Sequence, residues 1–167
     1  MRGSGLMTAG LILLTGAAAG VAHAADEQPF SFKVCALLAE PYVGAVSYAG
    51  GDGCSWAQVA PDGLTSETEK ASAYRHDPAT DGVTPEQLQA HYHEMFAQSL
   101  EAWGSAAKLT PLAVCDGGER FEATVGPNTM VMGYFNCGGK FVDITTQGPQ
   151  TVAHFSQLAA GMEKLVR

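Results

Sequence analysis

Between Leu112 and Thr146, apolar and polar residues alternate in short runs that are broken three times by glycine-centred turns. The breaks are Asp116-Gly117-Gly118, Gly126-Pro127-Asn128 and Gly138-Gly139. Glycine reaches backbone conformations that other residues avoid, so such clusters reverse the chain. Period-two alternation sends one set of side chains to each face of a sheet. Few folds accommodate this pattern besides an antiparallel meander. The expected strands are Leu112–Cys115, the run through Phe121, Ala123 and Val125, Met130–Asn136 and Phe141–Thr146.

Register follows from loop length. A two-residue loop at Gly138-Gly139 places Phe135 opposite Val142 and Gly133 opposite Ile144. A three-residue loop at Gly126-Pro127-Asn128 places Val131 opposite Ala123 and Gly133 opposite Phe121. One face then collects Phe121, Ala123, Val125, Val131, Phe135, Val142 and Ile144, with the Phe121 ring over Gly133. The other carries Arg120, Glu122, Thr124, Met130, Met132, Tyr134, Phe141, Asp143 and Thr145. That second face is half apolar, so a further layer should cover part of it. A slip of one residue would exchange the faces.

The four cysteines are Cys35, Cys54, Cys115 and Cys137. An even number in an exported chain reads as two disulfides, with three possible connectivities. The register sets Cys137 level with about Gly117, within disulfide reach of Cys115. Pairing Cys115–Cys137 leaves Cys35–Cys54. The spacings of 19, 61 and 22 residues lack the close pairs of a four-cysteine zinc site. No C-x-x-C redox motif occurs.

Helices flank the meander. Thr84-Pro85-Glu86-Gln87 is a helix entry, with Thr as cap, Pro at the first helical position and Gln closing a capping box. Leu88, Tyr92, Met95, Phe96, Ser99 and Trp103 form its apolar stripe, and Gly104 ends it. A closing helix from about Gln150 to Val166 gathers Val152, Phe155, Leu158, Ala159, Met162, Leu165 and Val166 in an arc of about 140°. Upstream, residues 25–34 read as an entry strand or arm, followed by a short helix before Pro41. Cys54–Val59 reads as a strand, and Ala71–Tyr74 as an edge strand. The expected class is α+β, an antiparallel sheet (meander 112–146) flanked by helices in an α/β/α-type sandwich.

The first 24 residues read as a signal peptide: Arg2, an apolar run from Leu6 to Val21, then Ala22-His23-Ala24, an A-x-A cleavage signal. No cysteine stands at that site to take a lipid. Cleavage would leave residues 25–167 as a single exported α+β domain, periplasmic or secreted, without a stable membrane anchor. Nine Lys and Arg against seventeen Asp and Glu argue against a nucleic-acid binder and against docking on an anionic membrane. A hydrophobic fraction of 46% is that of a folded chain.

This order of elements resembles PsbP-like domains over roughly the last 80 residues. The residues that carry the resemblance are Thr84-Pro85-Glu86-Gln87-Leu88, Gly117-Gly118-Glu119-Arg120-Phe121-Glu122-Ala123, Val131-Met132-Gly133-Tyr134-Phe135, Gly139-Lys140-Phe141-Val142-Asp143-Ile144 and the Phe155–Val166 helix. Cys35-Ala36-Leu37-Leu38 and Gly51-Asp52-Gly53-Cys54-Ser55-Trp56 are similar to small exported bacterial domains of the same architecture. The resemblance implies a non-catalytic role in binding or assembly, with no family catalytic motif to carry over.

Chemistry is sparse in the sequence. His91 and His93 point about 200° apart on a helix and cannot share a metal from it. His76 and His154 are isolated. Glu119, Glu122 and Asp143 read as solvated charge on an acidic chain. No G-x-S-x-G occurs. Met130 and Met132 share one sheet face, where two thioethers in an oxidising compartment suit Cu(I), although packing is the commoner use of Met. Three functions are therefore expected: a non-enzymatic exported domain that binds a protein partner or small ligand, without a cofactor; a copper-binding protein using Met130 and Met132; or a small hydrolase whose site is assembled only by the fold.

Overall fold

The structure, a computed structural model, describes residues 28–38, 46–50, 52–59, 65–126 and 128–167. The leader expected at 1–24, Pro41 and the turn at 61–63 lie outside these residues. Among the described residues, seven strands form one antiparallel sheet: β1 (Val46–Gly50), β2 (Gly53–Val59), β3 (Thr65–His76), β4 (Ala107–Leu112), β5 (Gly118–Val125), β6 (Asn128–Cys137) and β7 (Lys140–Gly148). Their order is β1-β2-β3-β7-β6-β5-β4. The helices are α1 (Phe30–Cys35), α2 (Pro78–Asp81), α3 (Pro85–Trp103) and α4 (Thr151–Val166). After β3 the chain runs through α2 and α3 to the far edge, and β4 to β7 return toward the middle. The α+β sandwich expected from the sequence is the observed architecture.

Helices cover both faces of the sheet. On one, Val34 of α1 and Phe155, Leu158 and Met162 of α4 pack with Trp56, Phe135 and Ile144 of the sheet. On the other, Phe96 of α3 packs with Phe121, Tyr134 and Phe141. Burying each such side chain contributes roughly 1.5–3 kcal/mol. The α3 entry is as expected: the Thr84 hydroxyl accepts from the Gln87 N–H, and the Gln87 side chain accepts from the Thr84 N–H. The stripe of α3 is rotated slightly from expectation. Leu100 packs into the core while Trp103 is exposed.

The β6–β7 register is as expected, with Phe135 opposite Val142 and Gly133 opposite Ile144. The β5–β6 register is not. Val125 pairs with Asn128, so the connection is two residues long rather than three, and Phe121 faces Met132 while Ala123 faces Met130. That single residue moves all of β5 to the other face. Phe121 and Ala123 join Met130, Met132, Tyr134 and Phe141 beneath α3, while Arg120 and Glu122 sit level with Gly133 and Val131 on the α4 side. The ring over Gly133 is therefore that of Phe155, not of Phe121.

Three further expectations are corrected. The strand before the first turn is Ala107–Leu112, not Leu112–Cys115; Cys115 turns with a left-handed backbone (φ 49°). Residues 30–35 form α1 rather than an entry strand, because Val34 is drawn into the core. β3 spans twelve residues and lies between β2 and β7 rather than at an edge. Its polar look comes from alternation, with Ala71 and Ala73 buried and Ser72 and Tyr74 on the opposite face.

Both disulfides form as expected, Cys35–Cys54 joining α1 to β2 and Cys115–Cys137 clamping the turn before β5 to the end of β6. Two such bonds fit an oxidising environment. Among the described residues no helix is long and apolar enough to cross a membrane.

Candidate functional site

The site is built on one cross-strand row on the α3 side of the sheet. Pairing runs from Pro111 of β4 to Glu119 of β5, Tyr134 of β6, Asp143 of β7, Tyr74 of β3 and Gly53 of β2. Partners in a row share a face, so carboxylates and phenols alternate across the middle of the sheet. Gly53 belongs to the row for a steric reason: a Cβ there would lie 2.2 Å from Tyr74 Cδ1.

A histidine is held on each carboxylate. His93 Nδ1 lies 2.9 Å from both Glu119 oxygens, and the Tyr134 hydroxyl donates to Glu119 Oε2 at 2.8 Å. At Asp143, His76 Nε2 approaches Oδ1 to 2.5 Å. Tyr134 stands between these two pairs, with its ring stacked on Phe141 at 5.3 Å and tilted against Tyr92 at 5.7 Å. Tyr134 is 1% exposed. Burial, with the Glu119 hydrogen bond and charge, pushes its phenol above the usual tyrosine range. Burial, then the Asp143 charge, does the same for Tyr92.

A cleft lies at the Glu119 end of this row, with a volume of ≈ 830 Å³. Glu86, Gln89, Ala90 and His93 of α3 form one wall. Their spacing of three, four and seven residues is that of a single helical stripe. The other wall is Leu109, Thr110 and Pro111 of β4, the Asp116–Gly118 turn and Glu119, with Tyr134 also lining the cleft. The turn is pinned by Cys115–Cys137, by the Asp116 carboxylate accepting from the Gly138 N–H, and by two backbone bonds with Asn136. Gln89 and Asn136 are joined by a hydrogen bond at 2.9 Å.

A carboxylate that fixes one nitrogen of an imidazole leaves the other to meet a ligand or move a proton. Among the described residues, hydrogen bonds to the His93 ring come from Glu119, and no Ser, Thr or Cys is bonded to it. The cysteines are all in disulfides, and the Thr110 hydroxyl, which lines the cleft, donates to the Arg120 carbonyl at 3.4 Å. The cleft thus offers a pre-arranged set of donors and acceptors.

The residues singled out from sequence fall as follows. Met130 and Met132 share a face, as expected, but pack half-buried against the Phe96–Phe121–Tyr134–Phe141 cluster rather than lining the cleft. His91 and His93 diverge, and His93 alone reaches the cleft. His154 is buried in α4. Glu119 and Asp143 are not solvated surface charges: their side chains are 24% and 17% exposed and each holds a histidine. Glu122 is likewise covered and paired with Lys108 and Arg120. Sequence reasoning missed the His93–Glu119–Tyr134 set because the expected register put Arg120, not Glu119, opposite Tyr134. The available signal was the 86/89/90/93 stripe on α3.

Among the described residues no group of three or more His, Cys, Asp or Glu is placed to hold a metal. Comparison with models of known protein families and with curated proteins finds no match.

Proposed function

We propose that this chain is an exported binding domain whose ligand, a polar small molecule or a polar loop of a protein partner, enters the cleft at His93, Glu119 and Tyr134. The observation that carries this reading is the pre-arranged hydrogen-bonded set His93–Glu119–Tyr134 at the ≈ 830 Å³ cleft. Export is supported by the leader sequence and by two disulfides. A role in binding or assembly is also what the PsbP-like resemblance implies. The test is a thermal-shift screen of polar metabolites together with affinity capture from a periplasmic extract. A hit should be weakened in His93→Gln while the melting of the unliganded chain changes little. A screen and a capture that both return nothing would overturn the reading.

A second reading, hydrolysis with His93 as general base, is favoured by the Glu119 carboxylate that orients its ring. Turnover of an ester panel that is lost in His93→Gln would establish it over simple binding. A Cu(I) site on Met130 and Met132 would have to compete with their packing against the aromatic cluster. Equilibrium dialysis of the parent against the Met130→Ala/Met132→Ala variant decides it.

A further inference from the structure

We propose that a second pocket, between α1, β3 and the end of α4, binds a phosphate-type oxyanion. The pocket has a volume of ≈ 570 Å³ and is lined by Gln28, Pro29, Phe30, Lys33, Arg75, Lys164 and Leu165. Three of the nine Lys and Arg of an acidic chain thus converge on one cavity. No carboxylate is among its described lining residues. The larger cleft is the reverse, with Glu86, Asp116 and Glu119 and no Lys or Arg in its described lining. On a chain of net charge −8, Arg75 is offset by its Asp52 partner, so the local field that draws an anion against the overall repulsion comes from Lys33 and Lys164.

Arg75 is the pre-organised member. Its Nε and Nη2 both donate to Asp52 Oδ2, at 3.0 and 2.7 Å. Its guanidinium carbon lies 3.7 Å from the centre of the Phe30 ring, and its backbone N–H donates to the Asp52 carbonyl at 2.9 Å. A guanidinium has five N–H groups, so those two side-chain bonds leave others for a ligand. Little rotamer freedom remains to be lost on binding. Lys33 and Lys164 add point charges on flexible stems, a pairing with arginine that suits phosphate. Pro29 and Leu165 give the cavity an apolar wall. This site is on the opposite side of the sheet from the His93 cleft, so it stands or falls independently.

The test is a ¹H–¹⁵N NMR titration of the disulfide-bonded protein with inorganic phosphate at constant ionic strength, with chloride as the control anion. Saturable shifts are expected at Phe30, Lys33, Arg75 and Lys164, with Glu119 unmoved. The Lys33→Gln/Lys164→Gln variant should bind about tenfold more weakly, with an unchanged amide spectrum elsewhere showing that it is folded. Phenyl phosphate distinguishes the sources of the group: tighter binding identifies a phosphate ester resting on Pro29 and Leu165, and equal binding identifies free phosphate. Shifts that do not saturate, that chloride reproduces, or that survive undiminished in the double variant would overturn the proposal.

Discussion

The ring of Phe155 occupies the space that a side chain at Gly133 would need: a Cβ there would lie 2.5 Å from Phe155 Cζ and 3.0 Å from the Glu119 carbonyl oxygen. The ring is able to yield, but the β5 backbone is held in the ladder. Gly133→Ala should therefore destabilise the protein by about 1–3 kcal/mol through overpacking. Adding Phe155→Leu should recover part of that loss, a non-additivity that a double-mutant cycle by urea unfolding measures.

Cys115 and Cys137 stand 22 positions apart in the chain, and the loop they close carries part of one wall of the cleft, the Asp116–Gly118 turn and Glu119. Replacing both by Ser should cost about 2–4 kcal/mol, mainly by freeing the unfolded chain. Because the same bond pins the Asp116–Gly118 turn, any ligand of the His93 cleft should bind more weakly at temperatures well below the melt. Thermal melts with and without reductant, followed by ligand titration of the variant, check both effects.

Tyr92 and Tyr134 have phenols raised above the usual range by burial. Ultraviolet titration of the native protein should show them un-ionised at about pH 10–11, where exposed tyrosines ionise. They should ionise only as the fold opens. Tyr134→Phe should remove one late-titrating group and cost about 0.5–1.5 kcal/mol for the lost Glu119 bond.

His154 is 7% exposed, and burial lowers its pKa from 6.5, opposed in part by the Glu69 charge. The unfolded chain therefore binds this proton more readily than the native chain. The sign is that stability is unaffected above about pH 6.5, falls as pH drops through that value, and levels off below the lowered native pKa. His154→Gln should flatten this part of the stability profile, measured by urea midpoints between about pH 5 and 8.

Glu122 behaves in the opposite sense. Burial alone would raise its carboxyl, but Lys108 and Arg120 outweigh it and hold the pKa below 4.5. Its contribution is present above pH 4.5 and is lost as pH falls through the lowered native value. Glu122→Gln should therefore lose stability at neutral pH and show a smaller loss on acidification, measured by the same urea midpoints at about pH 3–5.

Local patterns in the sequence determined the elements that depend on near neighbours. The Thr84–Gln87 box starts α3, the Gly138-Gly139 turn sets the β6–β7 register, and the spacing of Phe155, Leu158 and Met162 marks the buried face of α4. The Cys115–Cys137 bridge followed from strand alternation because a slip of one residue still leaves the two cysteines near the same sheet end. Tertiary structure decided the rest. Whether Gly126-Pro127-Asn128 closes as two residues or three depends on Phe121 finding Phe96 of α3 (ring centres 5.7 Å apart), a contact across the sheet that no local window contains. That choice brings Glu119 rather than Arg120 opposite Tyr134. His93, 26 residues away along the chain, meets the carboxylate only when α3 lies down on that face. A site made of one residue from each of three elements has no local spacing to announce it, because its geometry exists only once sheet register and helix packing are both in place.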